Sequence, residues 1–203
     1  MELLPMTFAA GWASGINAYA TVFVLGLLGR FLGSEGVPAG FERTDVLIVM
    51  GVLALVEFVA DKVPIVDSVW DVPSTVIRPI AGAVIGALIA GAQGDLVTIT
   101  LAAVGGITAL ISHLAKAGVR LAVNSSPEPV TNVGASVAGD VGVVGVTTLA
   151  VLYPVAAAVI AAILLLLTLG LGMLLAARIR KGWHWLRDRW GRGGESETYR
   201  SSP

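Results

Sequence analysis

The chain has 203 residues, 56% hydrophobic and 13% charged, with a formal net charge of −1 and a mean hydropathy of +0.85. Soluble domains carry about a quarter charged residues, so this composition excludes an ordinary soluble domain, and the near-zero net charge excludes a global nucleic-acid signal. Cysteine is absent, which removes disulfides, thiol nucleophiles and cysteine metal sites; His113 and His184 are far apart without metal-ligand spacing, and no cofactor is implied.

A membrane helix takes about 20 apolar residues, which leaves room for about six spans in an all-α bundle. The N-terminal MELLPMTFAAGW carries Glu2 in place of the positive n-region of a cleavable signal, so the first apolar run is expected to be a retained span. That span covers about 6–32. Gly11 and Gly15 stand at i, i+4 near Ser14, Ala18 and Thr21, a small face that lets a second helix approach. Asn17, near the centre of the run, needs a hydrogen-bond partner, either as a packing residue or as part of a site. A polar loop follows at 33–44.

The second span is expected at about 45–63, with Glu57 and Asp61 on one face. The stretch 57–79, EFVADKVPIVDSVWDVPSTVIRP, is unlike the rest of the chain. It holds Glu57, Asp61, Asp67, Asp71, Lys62, Arg78, three prolines and Trp70, and a bilayer tolerates such a segment only where protein or water covers it. Trp70 fits an interfacial anchor. The third span begins after these prolines, near Ser74, and contains Gly82 and Gly86 in a GxxxG arrangement. The fourth, about 96–123, carries His113, Lys116, Arg120 and Asn124 at i, i+3, i+7 and i+11, a polar stripe on one helix face. It ends in a proline-containing NSSPEP segment with Glu128. The fifth, about 133–152, contains Gly134, Ala138, Gly142 and Asp140, and the sixth, about 154–177, is almost wholly Ala, Leu, Ile and Val.

The tail at 181–203 is basic and aromatic, with Trp183, Trp185 and Trp190 among cations, and is expected to be disordered from about 193. Directly after a span this composition favours the cytoplasmic headgroup layer over nucleic acid. Six spans then place both termini in the cytoplasm and the 33–44 loop outside. The halves also show weak self-similarity: residues 14–18 against 105–109, and 59–66 against 137–144. This suggests repeats at 6–94 and 96–177, inverted because each holds three spans, which is a recurring transporter design.

The blocks GWASGINAYATVFVLGLLGR, VEFVADKVPIVDSVWDVPSTVIRPIAGA, HLAKAGVRLAVNSSPEPVTN and SVAGDV together resemble the DUF4126 family of bacterial membrane proteins over roughly 8–180. The resemblance implies a multi-pass protein of a bacterial inner membrane and carries no activity with it. Where that family has an acidic residue before Asp140, this chain has Gly139, which weakens the case for Asp140 as a site residue.

Buried charges cost a few kcal/mol each, so the simplest expectation pairs Glu57 and Asp61 with Lys116 and Arg120 as ion pairs that hold the bundle. The functional expectation is a site for a small charged solute or lipid headgroup, formed where helix ends at Pro64, Pro73, Pro127 and Pro129 meet these residues. Lys116, Arg120 and Arg78 suit an anion, the carboxylates suit a cation, and Asp61 with His113 suits a proton relay. An enzyme or flippase acting on a lipid phosphate, with Asp67, Asp71 and Glu128 on a divalent metal, is the competing class; a structural scaffold is another. Oligomeric state is left open.

Overall fold

The computed structural model describes the backbone of residues 2–124 and 129–198, and the side chains of 2–63, 66, 69–121, 133–178 and 181. Asn124 and Asp67 (side chains) and Glu128 (entirely) therefore lie outside the described residues, as do Ser125 to Pro127 and the side chains of the tail tryptophans. The described chain is all helix: α1 (Leu3–Ile16), α2 (Ala18–Leu32), a 3₁₀ turn (Ala39–Glu42), α3 (Thr44–Ala60), α4 (Pro64–Ala90), α5 (Asp95–Asn124), α6 (Pro129–Leu152) and α7 (Pro154–Thr198). Among the described residues, four segments are long and apolar enough to cross a membrane: Val69–Ala90, Asp95–Leu121, Val133–Leu152 and Pro154–Arg178.

The expected first span is not one helix. Asn17 sits in an extended conformation (φ −153°, ψ 102°) and its Oδ1 accepts the Ala20 N–H at 2.8 Å. It thus ends α1 and caps α2, using the preference of a short amide side chain for the backbone N–H of a helix start. Two neighbours then fix the path. Along α4, Ser14 lies at Arg78 and Thr7 at Gly86, so α1 runs antiparallel to α4. Ala18 and Tyr19 of α2 share a surface with Ile77 and Ala81, and Gly29 and Gly33 share one with Leu88 and Gly91, so α2 runs parallel to α4. The two helices form a hairpin that enters and leaves on one face, and Gly36, beyond α2, lies beside the Met6 thioether. At 1.5 Å per residue α1 and α2 are about 21 and 22 Å long, short of a hydrocarbon layer of about 30 Å. Replacing Asn17 with Ala is expected to cost about 1 kcal/mol through the lost cap, read as a lowered midpoint in a denaturing-detergent titration; an unchanged midpoint would deny the cap its role.

The start of α1 lies beside the end of α4 and the start of α5, with Thr7 against Gly86 and Gly105, and α7 packs on α5 with Gly172 beside Val119. The expected single first span is replaced by a pair of helices. The matching of 14–18 to 105–109 also loses its structural sense. One segment is the tip of a broken hairpin and the other lies inside the unbroken 30-residue α5, running in the same direction, so this pair shows no inverted equivalence.

Prolines divide the chain differently from the sequence expectation. Pro64, Pro129 and Pro154 each open a helix, the position where the missing N–H costs nothing and φ is already set. Pro73, expected to precede the helix that starts near Ser74, lies inside α4, as does Pro79. A proline removes one intrahelical bond, and in a bilayer packed neighbours can hold the helix through it. Here α5 packs along α4.

The centre of the bundle is α1, whose residues from Met6 to Ile16 are all buried except Phe8. A helix enclosed on all sides needs small residues where the neighbours are helical backbones. A methyl group at Gly11 would stand 2.8 Å from the Gly105 carbonyl oxygen, and one at Gly82 would stand 2.5 Å from it. Gly86 meets the backbone of Leu101 in the same way. The small faces at Gly11/Gly15 and Gly82/Gly86 thus form a three-helix seam of α1, α4 and α5. By contrast α7 turns Ala157 and Ala161 inward and Val159, Ile163, Leu166 and Leu167 outward, an apolar exterior suited to acyl chains.

Candidate functional site

The tip of the hairpin touches two of the core cations, Arg78 and Lys116. α1 ends with carbonyls that no helical N–H can reach; Arg78 Nη1 donates to the Gly15 oxygen at 3.2 Å and Lys116 Nζ to that of Ile16 at 2.9 Å. Cations at a helix C-terminus are favoured by its partial negative charge. Ser112 Oγ donates to the Trp12 carbonyl and Ser14 Oγ to that of Arg78, tying α1 to α5 and α4 on either side of the tip.

Around these carbonyls the cations and carboxylates alternate. Arg78 Nη2 meets Glu57 Oε1 at 2.5 Å, both residues 1% exposed, and lies 4.0 Å from Asp71. Asp61 Oδ2 is held between Lys116 Nζ at 2.8 Å and Arg120 Nη2 at 2.9 Å. Arg120 Nη1 also reaches Asp71 Oδ1 at 3.4 Å. At the edge, Lys62 meets Asp140 at 3.4 Å and stacks over the Phe58 ring. The four carboxylates Glu57, Asp61, Asp71 and Asp140 balance Lys62, Arg78, Lys116 and Arg120 when all are ionised. Such balance is needed, since a buried charge without a partner costs several kcal/mol.

His113, 1% exposed, has both ring nitrogens engaged. The guanidinium of Arg78 has only donors, so Nδ1, 2.7 Å from Arg78 Nη1, is the acceptor. Nε2 then carries the proton and donates to Thr75 Oγ1 at 3.0 Å, and Thr75 donates to the Asp71 carbonyl at 2.9 Å. The imidazole is fixed as one neutral tautomer, an assignment that follows from the hydrogen-bond directions. It therefore has no free nitrogen for the proton relay expected of it with Asp61.

Two buried carboxylate oxygens, Glu57 Oε2 and Asp61 Oδ1, have no protein donor among the described residues. Buried polar atoms in this condition call for an explanation. No group of three or more metal-ligating side chains occurs among the described residues. Of the expected site residues, Asn17, Glu57, Asp61, Lys62, Asp71, Arg78, His113, Lys116 and Arg120 lie in or beside this network. The pairing differs from expectation in one respect: Glu57 turns to Arg78 on α4, because the chain reverses at 61–63 and lays α4 against α3's last turn. Ser14, Thr75, Ser112 and the two tip carbonyls were not legible as partners. Ser14 was placed only on the small face of the first run, and Ser112 left a trace by standing on the Gly105–Ala109–Lys116 face of α5.

A family model described as a domain of unknown function, DUF4126, matches residues 4–190, which takes in the hairpin tip, the charge network and at least part of each described helix. The chain belongs to the DUF4126 family. No curated protein and no solved structure matches it. Within this DUF4126 domain a cavity of about 290 Å³ opens beside the network, lined by Trp12 and Ile16 of α1, Lys116 and Arg120 of α5, Ser136 of α6 and Leu164 of α7. Asp140 and Asn17 line a separate recess with Phe58.

Proposed function

We propose that this protein crosses a membrane five times, through α3 to α7, with the α1–α2 hairpin entering from the opposite face to the tail, and that it passes a small charged solute. The tail's cations and tryptophans favour the cytoplasmic side, which puts the hairpin's mouth outside and the network roughly two-thirds of the way inward, where about 21 Å of α1 ends. The observation that carries the reading is the broken helix pair itself. Non-helical backbone at this depth is tolerated only against protein or a polar cavity, and helix breaks that present backbone groups to charged side chains are the recurring form of a membrane solute site. In this reading Asp61 is the internal counter-ion: it holds Lys116 and Arg120 while the site is empty, and an arriving anion competes with it.

The test is flux into proteoliposomes loaded with a pH-sensitive dye and challenged with steps of chloride, phosphate, acetate, sodium and potassium, read together with membrane potential. Wild type is expected to respond to at least one ion, and Asp61→Asn to lose that response while staying folded and monodisperse. Silence of the wild type toward every ion would overturn the reading.

A second reading is favoured by one fact: every cation named in the network has an anionic partner. If the network is scaffold only, Asp61→Asn is destabilised, and combining it with Lys116→Ala recovers part of the loss.

A further inference from the structure

The cavity between α1, α5, α6 and α7 has a lining that the ion-pair network does not require. Two cations, Lys116 and Arg120, face it, and no carboxylate does; Asp61 and Asp71 grip them from behind. The Lys116 ammonium has three N–H donors, and Ile16 and Asp61 take two. Ser136, 5% exposed, offers a hydroxyl with no partner among the described residues. The remaining wall includes Trp12, Leu164 and Leu171 and is apolar apart from Thr168, whose hydroxyl donates to the Leu164 carbonyl. Ala135, Ala138 and Leu171 at its rim are exposed, so the mouth opens sideways through the helix wall, where acyl chains lie.

We infer that this cavity binds an anionic head, carboxylate or phosphate, that carries an alkyl chain. The head lies between Lys116, Arg120 and the Ser136 hydroxyl, and the chain leaves along Trp12 and Leu164 through the lateral mouth. Small-molecule pockets run from about 300 Å³ upward, so about 290 Å³ takes the head and the first few methylenes. This names the solute class for the site proposed above and rests on that reading. A free single-chain anion and an anionic phospholipid share this chemistry.

Trp12 reports on it directly. In full-length protein carrying Trp70→Phe, Trp183→Phe, Trp185→Phe and Trp190→Phe, Trp12 is the only tryptophan and is 4% exposed, so bulk lipid quenches it weakly. Titration in neutral-lipid nanodiscs with a brominated fatty acid, and separately with brominated phosphatidylglycerol, is expected to quench Trp12 saturably with at least one. That one identifies the source. A brominated fatty alcohol or phosphatidylcholine is expected to leave it bright. Lys116→Gln should weaken half-saturation about ten-fold, the effect of one charged hydrogen bond. Ser136→Leu leaves every ion pair in place, fills the cavity and should abolish quenching even if Lys116→Gln does not fold. Equal quenching by the alcohol, or quenching that survives Ser136→Leu, overturns the inference. Absent quenching in a protein that still passes an inorganic ion would sink the amphiphile and spare transport; saturable quenching without any flux would do the reverse.

Discussion

Arg78→Met is expected to be the most damaging single side-chain change, costing about 3–5 kcal/mol, the range for removing one partner of a buried ion pair. Three groups depend on that guanidinium: the Glu57 carboxylate, the Gly15 carbonyl and Nδ1 of His113. Methionine keeps the length and apolar stem of the side chain but none of the donors. Glu57 would then be left charged, 1% exposed and without its main partner. Combining Arg78→Met with Glu57→Gln removes the stranded charge, so the double variant should be more stable than the sum of the singles by about 1–3 kcal/mol. It should not return to wild type, because the hairpin tip and His113 still lack their donor. Steric-trapping or denaturing-detergent titration of all four proteins reads this cycle; additive losses would mean that the pair carries no coupling.

The second large effect belongs to the helix seam. A methyl group at Gly105 would run into the Gly82 carbonyl oxygen, a backbone atom that cannot rotate away. Gly105→Ala must therefore push α4 and α5 apart, with a cost of about 3 kcal/mol at the upper end of overpacking, and Gly105→Val should leave little folded protein. Gly118, on the same helix, has nothing within 4 Å of the equivalent position. Gly118→Ala is expected to be neutral or to gain up to about 1 kcal/mol from helix propensity. The two substitutions share residue types, helix and propensity change, so the difference between them isolates the contact. Equal midpoints for the two variants would refute the close approach of α4 and α5.

These two predictions also mark what the sequence could reveal. Glycine pairs at i, i+4 announced a close approach because nothing else explains so small a face in an apolar helix. The stripe of His113, Lys116 and Arg120 announced an inward polar face because its outward alternative is lipid. Both signals are local and periodic. The break at Asn17 was not legible, since one asparagine in an apolar run has the same appearance whether it packs within a helix or caps a new one. Only the surroundings decide, and the carbonyls of Gly15 and Ile16 find their donors on residues 78 and 116, far along the chain. Prolines misled for a related reason. Their local preference is to end or start a helix, and at Pro73 the packing of α5 overrode it. The partner of Glu57 depended likewise on a turn at 61–63 that reverses the chain one helical turn beyond it.

The enclosure of α1 bears on how the protein is made. In order of synthesis α1 precedes every helix that surrounds it, and the donors for its last two carbonyls arrive only with α4 and α5. A 14-residue helix is too short to be released into the bilayer as a finished crossing, and its polar end could not be left in hydrocarbon while it waits. Under the five-span reading proposed above, insertion runs out of sequence: the hairpin is held at the surface or in the insertion machinery until residue 116 has emerged, and then seats itself among helices built after it.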